Sequence, residues 1–151
     1  MPGLYFDKKK KKEKKKRKKG GQKDMELNTI EMQGDKIPIL CTMWVLAELQ
    51  AEFGSVKEFS DKLTPQYDTE GKLIPGWMPD LHAVVYALPK FIDEGIEVYN
   101  TTHKIKIDKM TPKQIFQRCD QPLLSVSIAL YRELWRSINA PKSSPLTKEN
   151  Q

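Results

Sequence analysis

At 151 residues the chain fits one domain, and at 38% hydrophobic and 30% charged its composition is that of an ordinary globular protein. Its net charge of +6 is held unevenly: residues 1–24 carry 12 Lys and Arg against three acids, a net of +9, and the other 127 residues carry 14 basic and 17 acidic groups, a net of −3. The longest apolar run, Pro38 to Ala47, is interrupted by Thr42 and is too short for a bilayer span. No apolar stretch follows the positive charges as a signal peptide requires, so the expectation is a protein without membrane that stays in the cytoplasm of the cell that makes it. Cys41 and Cys119 match no metal or redox spacing and sit beside apolar residues, which predicts buried free thiols.

Residues Lys8 to Gly21 use only Lys, Glu, Arg and Gly, all of which purine-only codons can encode. Gly20-Gly21 can be written GGAGGA, a ribosome-binding sequence, at a normal distance before Met25. Three readings stand. Residues 1–24 are a translated leader with the true start at Met25, which is the preferred reading. They are a disordered, solvated Lys-rich tail. Or Lys8 to Lys19 is a basic arm that binds nucleic acid through its phosphates.

The body opens with two short runs, Glu26–Met32 and Lys36–Leu40, around Gln33-Gly34-Asp35, which predicts a β-hairpin. Pro38 confines its strand to an edge or ends it early. Thr42 caps a helix over Met43–Phe53 that Gly54 stops. Val45, Leu46, Leu49 and Phe53 form one apolar face of it. Trp44, Ala47 and Ala51 form a second, for which core is the safer assignment and a docking face the alternative. Ser55 to Glu58 has capping-box spacing and starts a helix to Leu63.

Residues 64–80 read as a long loop with a turn at Thr69-Glu70-Gly71. Trp77 and Met78 in it are a lid on the core or a docking spot. Asp80 caps a helix from Leu81 to about Glu94, expected to kink or divide at Pro89, with Gly95 loosening its end. The alternation of Ile105 and Ile107 suggests an extended stretch. Thr111-Pro112 opens a helix to Arg118, and Asp120 is taken to cap the last helix, to about Ile138. Its expected apolar arc is Leu123, Leu124, Ile128, Tyr131, Leu134, Trp135 and Ile138, with Arg132, Glu133 and Arg136 facing water. The expected core includes Leu46, Leu49, Leu124 and Ile128. The tail after Asn139 is expected to be disordered. The fold class is therefore mostly α (α+β): a helical domain over residues 25–139 with an N-terminal β-hairpin, between disordered ends at 1–24 and 140–151.

Catalytic patterns are absent from this reading. His82, on the flank of its helix near Tyr86 and Asp93, is taken as a surface histidine. No phosphate loop, zinc spacing or nucleophile elbow is found. The expectation is a binding protein, not an enzyme, with no cofactor and no metal.

The run from Met25 through Thr29-Ile30, Gln33-Gly34-Asp35 and Ile37-Pro38-Ile39 to Met43 resembles the opening of tail assembly chaperones of long-tailed, siphovirus-like phages and prophages. Trp44 to Gly54, the helix from Leu81 to Ile96 and the late run Met110-Thr111-Pro112 to Ser137 continue the resemblance, which covers about residues 25–139 as a pattern of elements. The resemblance implies a helical chaperone that binds and solubilises the tape-measure protein, and possibly the tail tube protein, in the bacterial host cytoplasm. It also implies absence from the mature virion. Self-association is expected with it. The docking surface expected on this view is Trp44, Ala47 and Ala51, with Trp77 and Met78 as a second site. The alternative is a small nucleic-acid-binding protein using the basic N-terminal arm.

Overall fold

A computed structural model describes residues 26–139, so the expectations for residues 1–24 and 140–151 lie outside the described residues. The order is β1 (Asn28–Met32), β2 (Asp35–Ile39), α1 (Met43–Phe53), α2 (Val56–Leu63), α3 (Leu81–Thr102), α4 (Pro112–Arg118) and α5 (Leu123–Asn139). This is the mostly helical α+β arrangement with an N-terminal hairpin that the sequence predicts.

β1 and β2 pair antiparallel, with Ile30 opposite Ile37 and Met32 opposite Asp35. The turn is only Gln33-Gly34, whose φ angles of 51° and 87° are both positive, as a two-residue turn matched to strand twist requires. Asp35 already belongs to β2. Ile30, Met32, Ile37 and Ile39 are all buried, so the hairpin is a wall of the core.

Side-chain oxygens start four of the helices. Thr42 accepts from the Val45 amide, Ser55 from Glu58, Asp80 from Ala83 and Thr111 from Gln114. Each satisfies one of the orphan donors of a first turn. Gly54 closes α1 at φ 93° with its N–H on the Gln50 carbonyl. α5 departs from expectation: Asp120 does not cap it. The Asp120 carboxylate instead accepts from the Gln33 backbone N–H at 3.2 Å, and the first α5 bond runs from Val126 N–H to the Pro122 carbonyl.

α3 is one helix through Pro89 and ends at Thr102, not near Glu94. A proline inside a helix costs about 3 kcal/mol. Here Ala83, Val84, Ala87, Leu88, Phe91, Ile92, Gly95 and Ile96 are buried along a single face. Each large apolar side chain among them contributes roughly 1.5–3 kcal/mol, so packing outweighs the lost bond. Gly95 does not loosen the helix. It is the point at which β2 crosses α3: a Cβ there would stand 2.3 Å from the Pro38 carbonyl oxygen. One step further, the Leu40 N–H donates to the Phe91 carbonyl at 2.9 Å.

The stretch around Ile105 and Ile107 forms no strand. The Asn100 side chain accepts from the Ile107 N–H and donates to the Ile107 carbonyl, both at 2.9 Å, which supplies locally the two bonds a ladder partner would have given. The 64–80 loop holds its predicted turn. The Asp68 carboxylate accepts from the Glu70 and Lys72 N–H groups, and Tyr67 bridges to Leu73.

The core is a single cluster in which Leu49, Phe53, Phe59, Leu63, Leu88, Phe91, Ile115, Leu130 and Leu134 meet the hairpin isoleucines. Leu49 is buried and Leu46 half-buried. Leu124 and Ile128 are exposed, against expectation. The buried face of α5 is instead Val126, Ser127, Leu130, Glu133 and Leu134.

Candidate docking surfaces

The displacement of Leu124 and Ile128 from the core has its cause in two polar residues. Ser127 is fully buried, and its hydroxyl donates to the Leu63 carbonyl at 2.6 Å, satisfying the end of α2. Glu133 is 0% exposed, not facing water. One carboxylate oxygen accepts from the Asn28 amide and the other from the Cys41 backbone N–H, both at 2.7 Å. The Arg136 guanidinium donates to both oxygens, with Nη2 at 2.6 Å, and also to the Cys41 carbonyl at 3.4 Å. Buried charge is tolerated when paired and fully hydrogen-bonded, and these bonds meet that condition. The hydrogen bond to Glu133, ahead of the opposing effect of burial, pushes the Arg136 pKa up. Burial pushes the Cys41 thiol up to about 12. Cys119 is only half-buried, where burial was expected.

Because α5 turns Ser127 and Glu133 inward, much of its apolar arc turns outward. Leu124, Ile128, Trp135 and Ile138 are exposed, Trp135 by 58%, and Tyr131 is half-buried between them. Their spacings of four, three, four and three residues keep them within about 40° of one line along the helix. The buried face lies roughly 120° around from that line.

The residues chosen from sequence fall on two further surfaces. On α1, Trp44 is 69% exposed, and Ala47 and Ala51 are exposed beside it on the same face, with Met43 next to them. The core assignment for Trp44 is therefore wrong: Val45, Leu49 and Phe53 fill the inner face, and Trp44 is turned roughly 100° away from Val45 by helical geometry. In the 64–80 loop, Trp77 is half-buried and Met78 exposed. Both line an apolar cavity of about 210 Å³ with Pro65, Leu73 and Pro79 of the loop and Leu123 and Leu124 of α5. The structure thus joins Trp77 and Met78 to the start of the α5 line. Trp44, Ala47 and Ala51 do not line that cavity.

No family model, curated protein or solved structure matches this chain.

His82 pairs with Glu52 of α1 at 2.8 Å, not with Asp93, which sits near Lys109. Both members of the His82–Glu52 pair are exposed. Among the described residues no group of three His, Cys, Asp or Glu could hold a metal ion, and no helix is long and apolar enough to cross a membrane.

The α5 line was missed as a surface because an amphipathic period locates an apolar stripe without saying what covers it. One signal was available. A helix whose other face carried a lone carboxylate among Val126, Ser127 and Leu130 had a second stripe with an equal claim to the core.

Proposed function

We propose that this protein is a phage tail assembly chaperone that binds apolar helical surface on a long partner, the tape-measure protein, and holds it soluble in the host cytoplasm. The observation that carries this reading is the exposure of two tryptophans, Trp44 and Trp135, each on a helix face with further apolar neighbours. Exposed hydrophobics are ordinary when scattered, but contiguous ones mark sites of association. Tryptophan is among the residues that dominate binding energy once covered. Small Ala47 and Ala51 next to Trp44 allow a partner helix to approach closely. The resemblance of residues 25–139 to the chaperone pattern supplies the partner class. On this reading several copies coat one partner, the tail tube protein is a further contact, and the chain is absent from the mature virion.

Co-expression with the tape-measure protein tests the reading. The expected result is a soluble partner with the wild-type chain and an insoluble one without it. Equal solubility in both cases refutes the chaperone. Rescue by a folded Trp44→Glu variant equal to wild type leaves the function standing and removes the α1 face from it.

The second reading is nucleic-acid binding, favoured by the net +9 of residues 1–24. It requires DNA affinity that falls steeply with salt and vanishes when those residues are deleted.

A further inference from the structure

The exposed line on α5 has a period, a depth and a charge that together describe an occupant. Leu124, Ile128, Tyr131, Trp135 and Ile138 repeat at alternating four- and three-residue steps, which is the a/d seam of a coiled coil. From Leu124 to Ile138 the seam runs about 21 Å at 1.5 Å per residue. At its N-terminal end it opens into the cavity walled by Trp77 and Met78, about 210 Å³ in volume, more than the ~150 Å³ that accommodates a benzene ring. A leucine or phenylalanine at the end of a docked helix fits there.

Charge narrows the choice further. The only carboxylate on α5 is Glu133, which is buried and engaged by Arg136. The outer flank of the seam therefore carries Arg132, exposed and without an ion pair among the described residues. A second copy laid antiparallel about Tyr131 would bring Arg132 against its own equivalent, a like-charge contact that disfavours self-pairing.

We propose that the α5 seam is the docking groove for an amphipathic helix whose apolar 3-4 repeat is flanked by Asp or Glu, with one large apolar side chain seated in the Trp77–Met78 cavity. This deepens the chaperone reading and rests on it. It names α5 as the groove and acidic flanks as the recognised chemistry.

The test uses the full chain and two synthetic helical peptides of three heptads, Leu at every a and d, with Glu at e and g in one and Lys in the other. Binding is read by anisotropy of the labelled peptide at 150 mM salt. The Glu peptide should bind at least about tenfold tighter than the Lys peptide, a difference of about 1.4 kcal/mol. Ile128→Asp should weaken it by at least about tenfold, and Ile105→Asp, at an exposed position outside both docking surfaces, should leave it unchanged. Arg132→Glu, at an exposed position that does not endanger the fold, should shift the preference toward the Lys peptide.

Equal binding of the two peptides overturns the proposal. So does Glu-peptide binding that survives Ile128→Asp, the result expected if the Lys-rich segment captures the peptide. A concentration-dependent dimer in sedimentation that Ile128→Asp abolishes assigns the seam to a second copy and overturns it too. If the co-expression rescue succeeds while the peptides show no preference, this inference falls and the chaperone reading stands. If the rescue itself fails, the chaperone reading falls.

Discussion

Replacing Glu133 with alanine removes the acceptor for three groups at once: the Cys41 N–H, the Asn28 amide and the Arg136 guanidinium. Glu133 and Cys41 are buried, and Arg136 is half-buried. A buried N–H left without a partner costs about 1–3 kcal/mol, and breaking a buried ion pair by removing one member costs about 3–5 kcal/mol. Arg136 can turn toward water, so the lower part of the combined range applies, and a loss of about 4–6 kcal/mol is expected. That is a large share of the roughly 5–15 kcal/mol that stabilises an ordinary domain. Urea unfolding measures it, with the m-value held fixed as the check that the denatured state has not changed. Glu133→Gln keeps the volume and one acceptor, and should cost less than alanine. The double change Glu133→Leu with Arg136→Met removes both charges and should recover much of the loss, since apolar replacements of buried pairs are often neutral or stabilising. A cost for Glu133→Ala below about 1 kcal/mol, in the range of a surface site, would refute the view that this carboxylate joins hairpin, α1 and α5.

Gly95→Ala should destabilise despite alanine's helix propensity advantage of about 1 kcal/mol, because its Cβ meets the Pro38 carbonyl at 2.3 Å; a rise in Tm would refute the crossing. Leu49→Ala should cost about 2–5 kcal/mol as a fully buried leucine, and Ile128→Ala under about 1 kcal/mol as an exposed one. Equal costs would mean that α5 is rotated from the orientation described. In the native protein at pH 8, a thiol reagent should modify half-buried Cys119 and spare Cys41, with mass spectrometry after digestion as the readout. The Cys41 thiol is raised from 9.0 to about 12 by burial. The unfolded chain therefore loses this proton first, and the associated stability is complete below pH 9 and lost as pH climbs from 9 toward 12. A denaturation midpoint that rises across that interval contradicts the assignment.

Local chemistry was legible wherever one residue decides one bond. Thr42, Ser55, Asp80 and Thr111 start helices in the structure as their side chains predict, and Gly34 turns the hairpin. Long-range partners were not legible. Glu133 looks like a water-facing residue between Arg132 and Leu134 until Cys41 and Asn28, distant in sequence, are brought to it. Asp120 has the form of a helix cap, and tertiary structure gave its carboxylate to Gln33 instead. Pro89 carries a local penalty that sequence reading overweights, because the compensating burial along α3 is summed over eight residues. Among the site residues, Trp44, Ala47 and Ala51 form a second apolar face of α1 by period, but period alone does not say that the face is exposed. The α5 seam was visible as a stripe and assigned to the wrong environment for the same reason.

The Glu133 clasp also sets an order of events during synthesis. Its carboxylate is 92 residues downstream of Cys41 and 105 downstream of Asn28. At translation rates of about 5–20 residues per second, the hairpin and the start of α1 have been made for roughly 5–20 s before their last polar partner is made. During that interval the Cys41 amide has no acceptor from α5, and the hairpin isoleucines lack the final helix of their core. Completion of the fold therefore waits for the stretch of α5 that carries Glu133, and a chain cut short before Glu133 would leave the hairpin wall open to whatever apolar surface it meets.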